Sequence, residues 1–204
     1  MEPQEISATF DRLIAAITAA GGTVGSNLRP GIAEADITRE LAEISIPPHP
    51  HLLAWFGHHD GAEIVDTAKA EPGRQLGGSW RASQLAELLQ ERASAKEISA
   101  QFESPGVTLF PSSWFPISAA FNGILLCLDT SDESGQLFEY DPERGDYDDF
   151  STPAFGSIVD FVDAYTYLLE NGLTKWLGTD DGGFEMSLRP DLPPDFAQRY
   201  PTLL

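Results

Sequence analysis

Four histidines fall within eleven residues: His49, His51, His58 and His59, with Asp60 directly behind them. Imidazole and carboxylate are the side chains that hold transition metals and move protons near neutrality. A metal needs them to converge on one point. Pro47, Pro48 and Pro50 punctuate this stretch, and a helix opened by Pro50 carries His51 and His58 on one face, seven residues apart. Two turns separate those rings by about 10 Å, too far for one zinc ion. His58 and His59 are adjacent and point apart. The cluster is therefore expected to surround a helix end, where a histidine near the C-terminus suits the dipole. A metal-dependent hydrolase using His49–Asp60 stands as an alternative. It requires a concave site where these side chains meet.

The acids Asp129, Asp132, Glu133, Glu139, Asp141, Glu143, Asp146, Asp148 and Asp149 raise the question of calcium. A calcium loop of the EF-hand kind needs glycine at its sixth position and glutamate at its twelfth. Counted from Asp129 those places hold Ser134 and Tyr140, and counted from Asp141 they hold Asp146 and Thr152. Both counts fail. Cys127 lies mid-run in Ile124–Leu128, where a thiol is inert packing. Being the one cysteine, it forms no internal disulfide and no thiolate cage. Gly77-Gly78-Ser79-Trp80 precedes a predicted helix and reads as its serine-capped start rather than as an anion cradle. No Gly-x-Ser-x-Gly elbow is present. These residues predict no catalytic group, no metal and no cofactor.

Charge is the strongest compositional signal. Twelve Lys and Arg face 32 Asp and Glu among 204 residues, a net charge of −20. Residues 1–102 hold 14 acids and 8 bases, net −6, whereas residues 103–204 hold 18 acids and 4 bases, net −14. Nucleic acid and anionic membrane are poor partners for such a chain, because both are bound by cations that displace counterions. A negative surface serves solubility, and it also steers a basic partner. The longest apolar run, Ile124–Leu128, is far shorter than the roughly 20 residues of a membrane span. The first ten residues, MEPQEISATF, have neither a basic nor an apolar leader region, so a cytoplasmic location is expected.

The elements that must position these residues follow from periodicity. Ile6, Phe10, Leu13, Ile14 and Ile17 predict a helix stopped by Gly21-Gly22. Ile37, Leu41 and Ile44 predict a second, with Asp36 as N-cap. A third runs from Pro50 to Phe56 and ends at Gly57. Residues 57–79 read as a loop with a short strand near Ile64–Val65, and a fourth helix is predicted from Ser79 to Ala93. Strands follow at Trp114–Ile117, with Pro116 marking an edge, at Ile124–Asp129 as the central strand, at Gln136–Tyr140 and at Asp146–Phe150. Ser157 caps the last helix, whose buried stripe is Ile158, Phe161, Val162, Tyr165, Leu168 and Leu169. Helices, then consecutive strands, then a closing helix make an α+β chain with a mostly antiparallel sheet packed against several helices. Residues 1–172 are expected to form one domain, and the proline-containing 173–204 a C-terminal extension.

Trp114-Phe115-Pro116-Ile117, Asn122–Asp129 and Gly135–Asp141, followed by a helix led by Phe155, resemble the strand block of the SUKH superfamily, the Smi/Knr-like group. Pro47–Gly61 is similar to its upstream helix and turn, with Trp55 in the tryptophan place and Asp60-Gly61 where Asn-Gly is usual. The resemblance spans about residues 6–172. The proline-rich Pro47–Pro50 entry, the 62–113 middle and the 173–204 tail depart from it. It implies a non-enzymatic protein-binding module, in bacteria commonly an immunity protein that neutralises a polymorphic toxin, and otherwise a regulatory or scaffold protein. Joined to the charge, it predicts a basic toxin domain as partner, a nuclease among the candidates. The acids at strand ends and turns, Asp132, Glu133, Asp146, Asp148 and Asp149, are the predicted partner-binding residues.

Overall fold

The three- and four-residue spacing of Ile6, Phe10, Leu13 and Ile17 becomes one buried side of a helix, α1 (Pro3–Ala19). The computed structural model describes residues 3–63, 72–102, 108–142, 152–176 and 184–186, with Phe196 and Tyr200. After α1 the chain turns at Gly21-Gly22, where the Gly22 N–H closes on the Ile17 carbonyl at 2.9 Å. A short helix α2 (Val24–Asn27) leads into strand β1 (Leu28–Pro30). Helix α3 (Glu34–Glu43) buries Ile37 and Leu41. Its N-cap is Ala33, without a side-chain cap bond. Asp36, the predicted cap, lies inside the first turn and takes the Arg39 guanidinium at 2.5 Å.

Helix α4 (Pro50–His58) buries His51, Leu52, Trp55 and Phe56 and continues one residue past Gly57. Strand β2 (His59–Ala62) follows and pairs antiparallel with β1. Beyond a 3₁₀ turn at Pro72–Arg74, β3 (Gln75–Gly77) and β4 (Trp80–Arg81) form a hairpin. The predicted helix at Ser79–Ala93 is therefore displaced. Helix α5 is Leu85–Phe102, and Trp80 enters the core from a strand.

The strand block matches the sequence reading closely. Strands β5 (Trp114–Ala119), β6 (Leu125–Asp129) and β7 (Leu137–Tyr140) form an antiparallel sheet with β6 in the centre. Pro116 sits on β5, an outer strand of this sheet, next to a register shift before Ser118. That is where a residue without an N–H is tolerated. Phe155 bridges the outer side of β7 at Leu137. Helix α6 (Ile158–Glu170) starts on the Ser157 side chain, which accepts the Asp160 N–H at 3.1 Å. Among the described residues every strand pairing is antiparallel, and the chain is α+β. The predicted strands at Ile64–Val65 and Asp146–Phe150 lie outside the described residues.

Helix α1 packs on α6 and α4, and α5 packs on β5. Burying a Leu, Ile or Phe contributes about 1.5–3 kcal/mol per side chain, so this shared core is the main force holding the elements together. The segment after residue 172 adds to it. Strands β8 (Thr174–Trp176) and β9 (Phe184–Met186) pair with each other. Phe196 and Tyr200 join the buried cluster, Phe196 stacking on Tyr167 with ring centroids 5.1 Å apart. Among the described residues no helix is long and apolar enough to cross a membrane.

Candidate functional site

Asp132 and Glu133 lie where the sequence puts them, on the exposed connection between β6 and β7. Asp146, Asp148 and Asp149 lie outside the described residues. The connection is shaped by its own acids. Asp129 Oδ1 accepts the Ser131 N–H at 2.9 Å, and Asp132 Oδ1 accepts the Ser134 N–H at 2.7 Å. These are Asx turns, in which a short carboxylate replaces a backbone acceptor. Hydrogen bonds from Ser134, side chain first and backbone second, hold the Asp132 carboxyl below its ordinary range. Asp132 therefore stays ionised well below neutrality. Glu133 is exposed, and among the described residues it makes no hydrogen bond or ion pair.

Two of the histidines hold this turn from behind. His49 is the N-cap of α4, and its Nδ1 accepts the His51 backbone N–H at 3.2 Å. Nδ1 must then be unprotonated, so the hydrogen-bond network assigns the proton to Nε2. Nε2–H donates to the Asp132 carbonyl at 3.0 Å. One ring thus caps the helix and ties it to the turn. His51, 3 % exposed, packs edge-on to His49 with centroids 4.8 Å apart, and chiefly its burial pushes its pKa down to about 4. Gly135 closes the turn at φ +67°, and a Cβ there would lie 2.0 Å from His51 Nδ1. Glycine is required at this point both by the backbone and by the ring.

The other pair also serves structure. His58 reaches Asp11 at 2.9 Å, and His59 stacks on Phe10 at 4.1 Å with its Nδ1 accepting the Gly61 N–H at 3.1 Å. Burial pushes the His59 pKa down to about 3. The two rings do not point apart as adjacency predicts: both lie against Phe10, with their centroids 6.1 Å from each other and nearly perpendicular, because the chain passes from helix to strand between them. Among the described residues no three His, Cys, Asp or Glu side chains are grouped to hold a metal ion. Cys127 is fully buried in β6, and burial raises its thiol pKa despite the neighbouring Arg92.

The structure also contains concave surface that sequence reasoning missed. A groove of about 420 Å³ runs between α3 and the start of α5. Ile32, Leu85, Ala86 and Leu89 supply its apolar lining, and Asp36, Arg39, Glu40 and Asp60 its polar lining. A smaller cleft of about 130 Å³ lies on the other flank of α5, between Arg81, Ser83, Glu87, Glu91 and Ala119. The first turns of α5 form a ridge between the two. Their position is fixed from a distance: Asp60 Oδ1 accepts the Leu85 N–H at 2.9 Å while Oδ2 meets Arg29 Nε at 3.3 Å. Glu87 accepts the Gln84 N–H at 3.0 Å and also takes the buried Arg74 guanidinium. The sequence reading did not single out this surface; the signal for one wall lies in Asp36 and Glu40, four residues apart on α3, and the opposite wall depends on where α5 begins.

No protein-family model matches the chain, and no curated protein matches it in sequence.

Proposed function

We propose that this chain is a non-enzymatic protein-binding module of the SUKH type, acting in the cytoplasm as an immunity protein that binds and neutralises a basic toxin domain. The observation that carries the reading is the β6–β7 turn. Its carboxylates are exposed on a backbone fixed by Asx turns, by His49 and by the contact of Gly135 with His51. A rigid projection bearing ionised acids attracts a cationic surface and loses little entropy on binding it. What weighs against a hydrolase is that the His49 ring caps α4 and ties the turn, the His59 ring stacks on Phe10, and among the described residues no three His, Cys, Asp or Glu side chains converge. A nuclease holds phosphates with Lys and Arg, and an acidic protein can cover the same surface.

The test uses a basic nuclease domain encoded beside this chain. Coexpression should protect cells from the nuclease, and the purified proteins should form a complex whose association slows as salt rises, since the Debye length falls to about 8 Å at 0.15 M. Asp132→Asn with Glu133→Gln should slow association further at low salt. A complex without protection would move the reading to a regulatory or scaffold partner. Neither complex nor protection refutes it.

A further inference from the structure

We propose that the groove between α3 and α5 is the docking site for a cationic, amphipathic segment of the partner; this rests on the protein-binding reading and names its surface. The floor is apolar and the lip is acidic. Leu85 is buried, while Ile32 and Leu89 are half-buried and so keep apolar area facing the groove. That combination suits a segment with aliphatic positions on one side and Lys or Arg at its margins, whose stems lie on apolar surface while the charged heads reach carboxylates.

Charge selects this occupant over others. Helix α3 carries Glu34, Asp36, Glu40 and Glu43 against Arg39 alone, net −3. Arg39 meets both Asp36, at 2.5 Å, and Glu40, at 3.2 Å. Each of these groups is more than a third exposed, so the pairs contribute little and can be shared with an incoming cation at small cost. Asp60 is different. Arg29 and the Leu85 N–H engage it, so it shapes the end of the groove rather than waiting for a ligand. A second copy of this chain is a poor occupant, because two molecules of charge −20 would bring acidic lips together. Phosphate ligands meet the same repulsion.

The experiment uses the full chain and two fluorescent peptides of equal positive charge. One is a Lys/Leu helix of about four turns with its leucines on one face, the other a Lys/Ser peptide. In anisotropy titrations the Lys/Leu peptide should bind about tenfold or more tightly than the Lys/Ser peptide, as burial of two or three aliphatic side chains predicts. Leu89→Ser should remove about tenfold of that affinity and Leu89→Met should keep it. Asp36→Lys with Glu40→Lys should weaken binding about tenfold, whereas the same charge change at Asp132 and Glu133 should cost less than about threefold. Amide shifts on peptide addition should fall on residues 32–40 and 85–89. Circular dichroism of each variant checks folding. Equal losses from the two charge reversals, an unaffected Leu89→Ser variant, no preference for the Lys/Leu peptide or shifts mapped elsewhere would overturn the groove. If the chain nevertheless still binds and neutralises a basic nuclease domain, the protein-binding reading survives without this site. If the groove captures the peptide and the nuclease is ignored, the immunity reading falls and the groove stands.

Discussion

Replacing Gly135 with alanine tests whether the acidic turn is held rigidly against α4. Two separate costs apply. The residue has φ +67°, a left-handed conformation that disfavours a Cβ by roughly 1–2 kcal/mol. The new Cβ would also sit 2.0 Å from His51 Nδ1 and 2.4 Å from Cε1. His51 cannot simply swing away, because it is 3 % exposed and packs on His49. Forcing a methyl into a filled site costs about 1–3 kcal/mol. Gly123 separates the two terms. It has φ +85°, and nothing lies within 4 Å of its Cβ position, so Gly123→Ala carries the backbone term alone. Urea unfolding should show Gly123→Ala down by about 1–2 kcal/mol and Gly135→Ala down by about 2–5 kcal/mol. Adding His51→Ala to Gly135→Ala should recover part of the difference, a coupling of about 1–2 kcal/mol. Equal losses at the two glycines, or no coupling to His51, would refute the claim that the turn is braced by the ring. The Asp132–Glu133 projection would then be a loop of no fixed shape.

Three other outcomes follow from buried groups. His59 has a folded pKa near 3 against 6.5 in the unfolded chain. Between these values the unfolded chain binds the extra proton, so His59 lowers stability by about 1.4 kcal/mol per pH unit as pH drops from 6.5 toward 3, and His51 adds a like slope down to about 4. Urea midpoints measured from pH 7.5 down to 4.5 should therefore be flat above about 6.5 and fall below it, and His59→Leu should lower that slope by about one proton. Cys127 should resist a thiol reagent in the native state and react at the rate of global opening, so unfolding rate and labelling rate should coincide at high reagent. Labelling much faster than unfolding would mean that β6 is not the protected centre of its sheet. Glu87→Gln should destabilise by about 2–3 kcal/mol, because it leaves the buried Arg74 cation without its carboxylate; the partial exposure of Glu87 keeps this below the cost of breaking a fully buried pair.

What the sequence made legible was governed by apolar periodicity. Ile6, Phe10, Leu13 and Ile17, and later Ile158, Phe161, Val162, Tyr165 and Leu168, repeat at helical spacing and are buried in the structure. The central strand at 125–129 was equally plain, since an unbroken apolar run between turn residues has few other solutions. The start and length of α5 were not legible, for a definite reason. Its buried positions are Leu85, Leu88, Arg92, Ala95 and Ser99, a regular three- and four-residue repeat in which two members are polar. Arg92 is admitted because it donates to the Trp114 carbonyl at 2.9 Å and the Ser112 carbonyl at 2.7 Å. Ser99 is admitted because it hydrogen-bonds the Tyr140 hydroxyl at 2.8 Å. A reading by hydrophobicity scores both as surface and ends the helix early. The start was misplaced because Trp80 lies eight residues before Leu88, a spacing a helix allows, whereas Asp60, 25 residues upstream, supplies the acceptor for the Leu85 N–H.

The same misreading explains why the candidate site was only half visible. Asp132 and Glu133 were found because local turn chemistry marks an exposed loop, and nothing distant is needed to expose them. The α3–α5 groove needs two helices from separate parts of the chain to face each other. Its acidic lip can be read from α3 alone, as Asp36 and Glu40 four residues apart on one helix face. Its apolar floor cannot, because Leu85 and Leu89 look like ordinary core positions until α5 is seen to begin at Leu85 with Leu89 half-buried at the groove. Leu89 is therefore the residue that separates the two surfaces: it has no role at the β6–β7 turn, and at the groove it is the contact that a cationic amphipathic partner cannot replace with charge.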